Sequence, residues 1–303
     1  MAFYIIKGDL VSMNVDCIVA DANVNLKMVE GVTRAIFHKA GDIEMTQACR
    51  EIGHCDVGKA VFTPSFGISN VKGIIHAVGP NYINGKHGEE KNLLSAYKET
   101  FNILLEKGYK SIAFPLLSSE FNYPTRECYD VAKKAILEFL KDHNDVSVYL
   151  VFFKKFPEFV NDELKEEIGR FISKQSKSAS ISIERVEDNV EGLKMISSLQ
   201  EKNGLNDNDV IFYANLTHNY FDILRNDQTY IPTRRSIIAI GIALKLQDKE
   251  MTSLLRLFGY TFAPNSVENL VIKYFLSKKT FDVYCINECL FHFDYPILSS
   301  ILL

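Results

Sequence analysis

Ser118 and Ser119 end an apolar run in the stretch FPLLSSEFNYP, residues 114–124, and Pro124 opens a helical pattern behind them. In an α/β chain such a junction is where backbone amides hold a phosphate. Phosphate loops ordinarily carry glycine, because the backbone must come close to the oxygens. This stretch has none, and Glu120 places a carboxylate in the turn. Metal chemistry has weaker support. Cys49 and Cys55 flank REIGH, and Cys285 and Cys289 lie four apart, but a zinc site needs four ligands in paired spacing. No metal and no resident cofactor are therefore expected, and the cysteines read as reduced, mostly buried thiols.

The elements that must position these residues are legible as alternating patterns. FYIIKG, DCIVADA, KAVFTPSF, GIIHAVG, SIAFPLL and VSVYLVFF are short, β-branched or aromatic, and bounded by turn residues, which predicts strands. Between them GVTRAIFHKAG, EKNLLSAYKETFNILLEKG and TRECYDVAKKAILEFLKDH carry helical spacing, with Gly41 and Gly108 at C-cap positions. Strands alternating with helices predict an α/β fold with a largely parallel sheet covered on both faces. Ligands in such folds bind beyond the carboxyl ends of the strands. ADAN (20–23) and SSEFN (118–122) both occupy such ends.

After NDELKEEIGRFISKQ the chain turns polar in SKSASISIERVEDN, and from about Leu193 every pattern is helical. The expected organisation is an α/β domain over 1–175, a linker over 176–192 and an all-α domain over 193–303. The net charge is -4 over 303 residues, with no basic block. Strong nonspecific nucleic-acid binding, which comes from neutralising phosphates, is not expected. No run approaches the roughly 20 apolar residues of a membrane span, and Met1–Gly8 alternates like a strand rather than a signal peptide. A cytoplasmic location is expected.

The order of motifs KGDL, DCIVADAN, GVTRAIFHKAG, GHCDVGKAVFT, GIIHAVGPNY and SIAFPLLSSEFNYP resembles the macrodomain family over about residues 1–172. The resemblance implies a three-layer α/β/α fold with a mixed sheet and a site for ADP-ribose or a related NAD-derived nucleotide. It implies that Asp9, followed by Leu10, takes the adenine amino group, with Phe153 packing on the adenine face. Asn23 matches the last Asn of the family motif and would meet ribose hydroxyls as donor and acceptor. Gly31 and Val32 stand at the first phosphate loop, where Met28, Val29 and Glu30 replace a glycine-rich run. Ser118, Ser119, Glu120, Phe121 and Asn122 form the second, one residue short, with Phe121 as the aromatic over the distal ribose. Asn122 stands at a glycine position and tolerates positive φ. Asp21, Glu30 and Glu120 are expected to crowd the diphosphate with negative charge.

Some members of that family hydrolyse ADP-ribose from proteins or deacetylate O-acetyl-ADP-ribose. They place an Asp at the helix start and often a His one turn later; here those positions are Thr33 and Phe37, neither of which can take a proton near neutral pH. His38, one position on, is expected to face solvent. Asp21 and Asn23 are the weak catalytic candidates that remain. The resemblance thus implies binding of the nucleotide, or of an ADP-ribosylated protein, with inefficient turnover; a hydrolase with relocated groups is the alternative. The C-terminal part resembles a Cro/repressor-type helix-turn-helix domain joined to macrodomains in some bacterial proteins. His218, Asn219, Arg225 and Asn226 in its middle helix are offset by Asp222, with Asp207, Asp209 and Asp227 nearby. A protein partner or self-association is expected of this domain rather than DNA; a ligand-sensing DNA regulator is the other alternative.

Overall fold

The computed structural model describes residues 2–153, 156–174, 189–227, 229–263 and 266–298. The first part of the chain runs β1 (Ala2–Lys7), β2 (Cys17–Asp21), α1 (Val32–Ala40), α2 (Asp42–Ile52), β3 (Ala60–Pro64), β4 (Gly73–Ala77), α3 (Glu89–Glu106), β5 (Ser111–Phe114), α4 (Thr125–Asp142) and β6 (Ser147–Phe152). The six strands form one sheet in the order β1-β6-β5-β2-β4-β3. β2 pairs in parallel with both β4 and β5, and β5 pairs in parallel with β6. Only the pairing of β3 with β4 is antiparallel among those with a described register. β2 and β4 are buried along their whole length, which is why they read as unbroken apolar runs rather than as alternating ones.

Strand alternation assigns the two faces. Ile18 and Ala20 of β2, Ile74 of β4 and Ala113 of β5 pack with Ile36, Phe37, Met45 and Cys49 of α1 and α2. Phe114, one residue on from Ala113, meets Tyr97 and Phe101 of α3 on the other face. Helix α2 is an element the sequence patterns above leave out. Gly41 ends α1 at φ 110°, and a second helix restarts at once, with Met45 and Cys49 buried one turn apart.

Two compact units divide the chain, one of Phe3–Pro157 and one from Glu158 onward together with the first two residues. The second contains α5 (Asp162–Lys174), α6 (Val190–Asn203), α7 (Asp207–Tyr213), α8 (Tyr220–Asn226), α9 (Arg234–Ala243), α10 (Asp248–Leu257), α11 (Val267–Ser277) and α12 (Val283–His292). The division thus falls earlier than residue 175. The reason is side-chain contact: on α5, Phe171 meets the Tyr274 ring edge-on at 5.8 Å, and Glu167 accepts from Tyr274 Oη at 2.6 Å and pairs with Lys278 at 2.8 Å. Residues 176–188 of the expected linker lie outside the described residues, and α6 already begins at Val190.

Helix α9 is apolar all round and buried from Ser236 to Ala243, as a central helix should be. Ile240→Ala there is expected to lower the unfolding free energy by about 2–5 kcal/mol through lost burial and a residual cavity. Urea denaturation of the full chain measures it.

Candidate functional site

The loop after β5 is shaped by two non-glycine residues in the left-handed region, Ser118 (φ 63°) and Asn122 (φ 59°). Asn tolerates this conformation through its short polar side chain; serine does so less readily. What holds Ser118 there is a hydrogen bond from its backbone N–H to Oδ2 of Asp21, 2.9 Å. The turn is closed further by Ser119 Oγ donating to the Leu116 carbonyl at 2.7 Å and Phe121 N donating to the Ser118 carbonyl at 2.9 Å. Leu117 N donates to Tyr97 Oη at 3.3 Å, and Tyr82 N donates to the Phe121 carbonyl at 3.0 Å. Ser118 Oγ fills the space over Gly79 so closely that a Cβ there has no room. Tyr82, Tyr97 and Gly79 carry no site signal in the sequence beyond the glycine that follows the fourth apolar run.

Asp21 is buried beneath the 116–122 loop rather than exposed on it. As the last residue of β2 it points to the α3/α4 face, where it lies among Tyr97, Cys128 and the Ser118 amide. It is buried, and desolvation pushes its pKa up to about 8, with the Ser118 N–H opposing and the Glu120 charge adding to the rise. Its Oδ1 and Ser118 Oγ have no hydrogen-bond partner in the protein. Asp21 therefore acts as the clasp beneath the loop.

Asn23 is also spent locally. Its Nδ2 donates to the Lys27 carbonyl at 2.7 Å, and its Oδ1 accepts from Asn25 N at 3.1 Å and Lys27 N at 3.2 Å. It shapes the loop ahead of α1 and keeps one N–H for a ligand. Glu30 turns to solvent and forms an ion pair with Arg34 at 2.6 Å. Thr33 Oγ1 donates to the Asp21 carbonyl at 2.8 Å, and Phe37 is buried edge-on against His76 at 6.4 Å. His38 is exposed and bonded to Asp42 at 2.8 Å.

Gly31 caps α1 with φ 83°, and Val32 begins the helix. The volume on the free side of Gly31 is filled by the side chain of Glu120, whose carboxylate leaves no room for a Cβ there. Of the three acidic residues Asp21, Glu30 and Glu120, Glu120 is the one whose carboxylate lies against Gly31. Its negative charge sits at the amino end of a helix, where the unpaired amides and the macrodipole favour an anion.

At the other end of the cleft, Gly8 N donates to the Phe152 carbonyl at 2.9 Å and sets the ends of β1 and β6 side by side. Asp9 is exposed, and its Oδ1 accepts from Val11 N at 3.2 Å to cap a short 3-10 helix, Leu10–Ser12. Phe153 is 70% exposed just past β6. Leu10 is buried in the core, so its side chain packs rather than binds. The sheet order brings Asp9, Phe153, the 116–122 loop and the 22–31 loop over four neighbouring strand ends.

In the helical unit, Arg225 of the expected recognition helix and the adjacent pair Arg234 and Arg235 are engaged. Arg225 forks onto Asp207, with Nη2 at 2.8 Å from Oδ1, and lies over the Phe221 ring. Arg235 donates to Glu268 at 3.0 and 3.5 Å, and Arg234 approaches the same carboxylate at 3.9 Å. The outer face of α8 is a shallow groove lined by Asn219, Asp222, Ile223, Asn226 and Asp227. Among the described residues, no cluster of three His, Cys, Asp or Glu is placed to hold a metal, and no helix is long and apolar enough to cross a membrane.

With this geometry the comparisons agree. Residues 19–132 match the Macro domain family model. An uncharacterized protein of Fusobacterium nucleatum is 40% identical over 151 residues, 49% of this chain and 85% of its own. An O-acetyl-ADP-ribose deacetylase of Citrobacter rodentium is 39% identical over 142 residues, 45% of this chain and 79% of its own. Among solved structures, the Oceanobacillus iheyensis macrodomain with ADP is 27% identical, with a TM-score of 0.47, over 56% of this chain and 91% of that one. The chain belongs to the macro domain family.

The clasp has a pH signature. Because the Asp21 pKa rises from 3.8 in the unfolded chain to about 8 in the folded one, the folded state binds the extra proton between those values. Its contribution is fully present below about pH 4 and is lost as pH rises towards 8, by up to about 1.4 kcal/mol for each pH unit. Asp21→Asn keeps an acceptor for Ser118 N–H and removes the titration. The stability difference between variant and wild type should move in the variant's favour from pH 4 to 8 and then level off. Thermal unfolding across that range checks it; a flat difference contradicts a buried, protonated Asp21.

Proposed function

We propose that the α/β unit binds ADP-ribose or a related NAD-derived nucleotide, free or attached to a protein, across the ends of β1, β6, β5 and β2. The observation that carries this reading is the convergence of Asp9, Phe153 and the two loops on one edge of the sheet, in a family whose relative in Citrobacter rodentium is named an O-acetyl-ADP-ribose deacetylase. Adenine would meet Asp9 and Phe153, and the remainder of the nucleotide would extend over the ends of β6, β5 and β2. Calorimetry of the full chain with ADP-ribose should give saturable binding. A folded protein that releases no heat with ADP-ribose or its relatives sinks the proposal.

Turnover is expected to be poor. Thr33 and Phe37 stand where a proton acceptor would be needed, and both side chains are committed to structural contacts. The relative's name favours an enzyme as the second reading, with Asp21, a buried acid beside the loop after β5, as its candidate group. Acetate release from O-acetyl-ADP-ribose separates the two. A rate about 10²-fold or more below that of the Citrobacter rodentium relative fits a site without its general base; an equal rate fits the enzyme.

The helical unit is read as a module for a protein partner or for self-association. The engagement of Arg225, Arg234 and Arg235 by Asp207 and Glu268 supports this over operator binding. A mobility-shift assay at low salt is expected to show no shift, since even nonspecific binding is strongest there. A shift that weakens with salt would reverse the assignment.

A further inference from the structure

The Glu120 carboxylate and a ligand phosphate cannot share the volume over Gly31, and that competition has a consequence for selectivity. Building on the nucleotide-binding reading, we propose that Glu120 is the specificity-determining residue of the cleft: an internal anion that excludes a diphosphate while it lies on Gly31. A nucleoside, or the adenosine end of a nucleotide, is then admitted without displacing it. First, the contact is steric as well as electrostatic, since the carboxylate fills the space that the missing Cβ of Gly31 leaves free. Second, the amino end of α1 is the place in this cleft where an anion is favoured by unpaired amides, and Glu120 already supplies that anion. Third, the Glu120 side chain is exposed, while the backbone two residues earlier is held by the buried Asp21. Displacing the carboxylate therefore needs rotation of one side chain, with the loop anchor left in place. Like charges a few ångströms apart near a surface repel enough to matter, and salt screens the repulsion. Exclusion should therefore be strongest at low ionic strength.

The test is a calorimetric comparison of adenosine, ADP-ribose and inorganic pyrophosphate on wild type, Glu120→Gln and Glu120→Ala, at low and at high salt. Thermal unfolding confirms that each variant is folded, as expected for an exposed position. Wild type is expected to bind adenosine and ADP-ribose with similar affinity and pyrophosphate not at all. Glu120→Gln should tighten ADP-ribose by about tenfold at low salt, with a smaller gain at high salt. Glu120→Ala should tighten it at least as much, and adenosine should be unchanged in both. ADP-ribose binding that is equal in all three proteins overturns the proposal while leaving the nucleotide site standing. Equal gains for adenosine and ADP-ribose also overturn it, since charge selectivity would then be absent. If no protein binds adenosine or ADP-ribose, the cleft reading itself fails and takes this proposal with it.

Discussion

The candidate site depends on one buried hydrogen bond, from the Ser118 amide to the Asp21 carboxyl. β2 and β5 are parallel neighbours, so the loops that follow them leave the sheet side by side. Parallel pairing alone would leave those loops free to splay. The Ser118–Asp21 bond ties one to the other and stabilises a serine in a backbone conformation that it would not otherwise favour. Thr33 extends the tie by donating to the Asp21 carbonyl, which brings in the first turn of α1. One aspartate thus joins β2, the 116–122 loop and α1. The carboxyl tolerates burial by holding its proton to about pH 8.

That clasp also explains how a loop without glycine keeps its shape. Ser118 and Asn122 take the positive φ values that a glycine would otherwise supply, and hydrogen bonds within the turn compensate for the strain. The close approach to an anion is lost to the side chain between them. Glu120 fills the space over Gly31, so the helix end that would face a phosphate faces a carboxylate instead. The family position of the chain and the state of its cleft are separate facts. Membership rests on residues spread over the α/β unit, whereas a family's fold does not by itself set its function.

The helical unit follows the same logic of local commitments. Arg225, Arg234 and Arg235 are paired with carboxylates of the same unit, which engages them away from phosphates. α5, contiguous in sequence with the α/β part, belongs to it because its aromatic and acidic side chains find their partners on α11. Sequence position is a poor guide to such a boundary, since an amphipathic helix at a junction has an apolar face that either neighbour could bury.

The sequence by itself determined the six strands, the helices of both units except α2 and α5, the largely parallel sheet and the family. These follow from periodicity, from glycine punctuation and from motif order, which are local or additive properties of the chain. It also determined which residues stand near the strand ends, including Asp9, Asn23, Gly31 and the 118–122 stretch. Only the tertiary structure decided what those residues do. Asp21 and Glu30 look equivalent to Glu120 as acids beside a phosphate loop, yet one turns under the sheet edge, one turns to Arg34, and one lies on Gly31. Asn23 offers a donor and an acceptor in the sequence, but the loop backbone takes most of both. The physical reason is that a side chain's direction and partners come from strand parity, backbone φ and contacts distant in sequence. The residue type supplies only the capacity to bond.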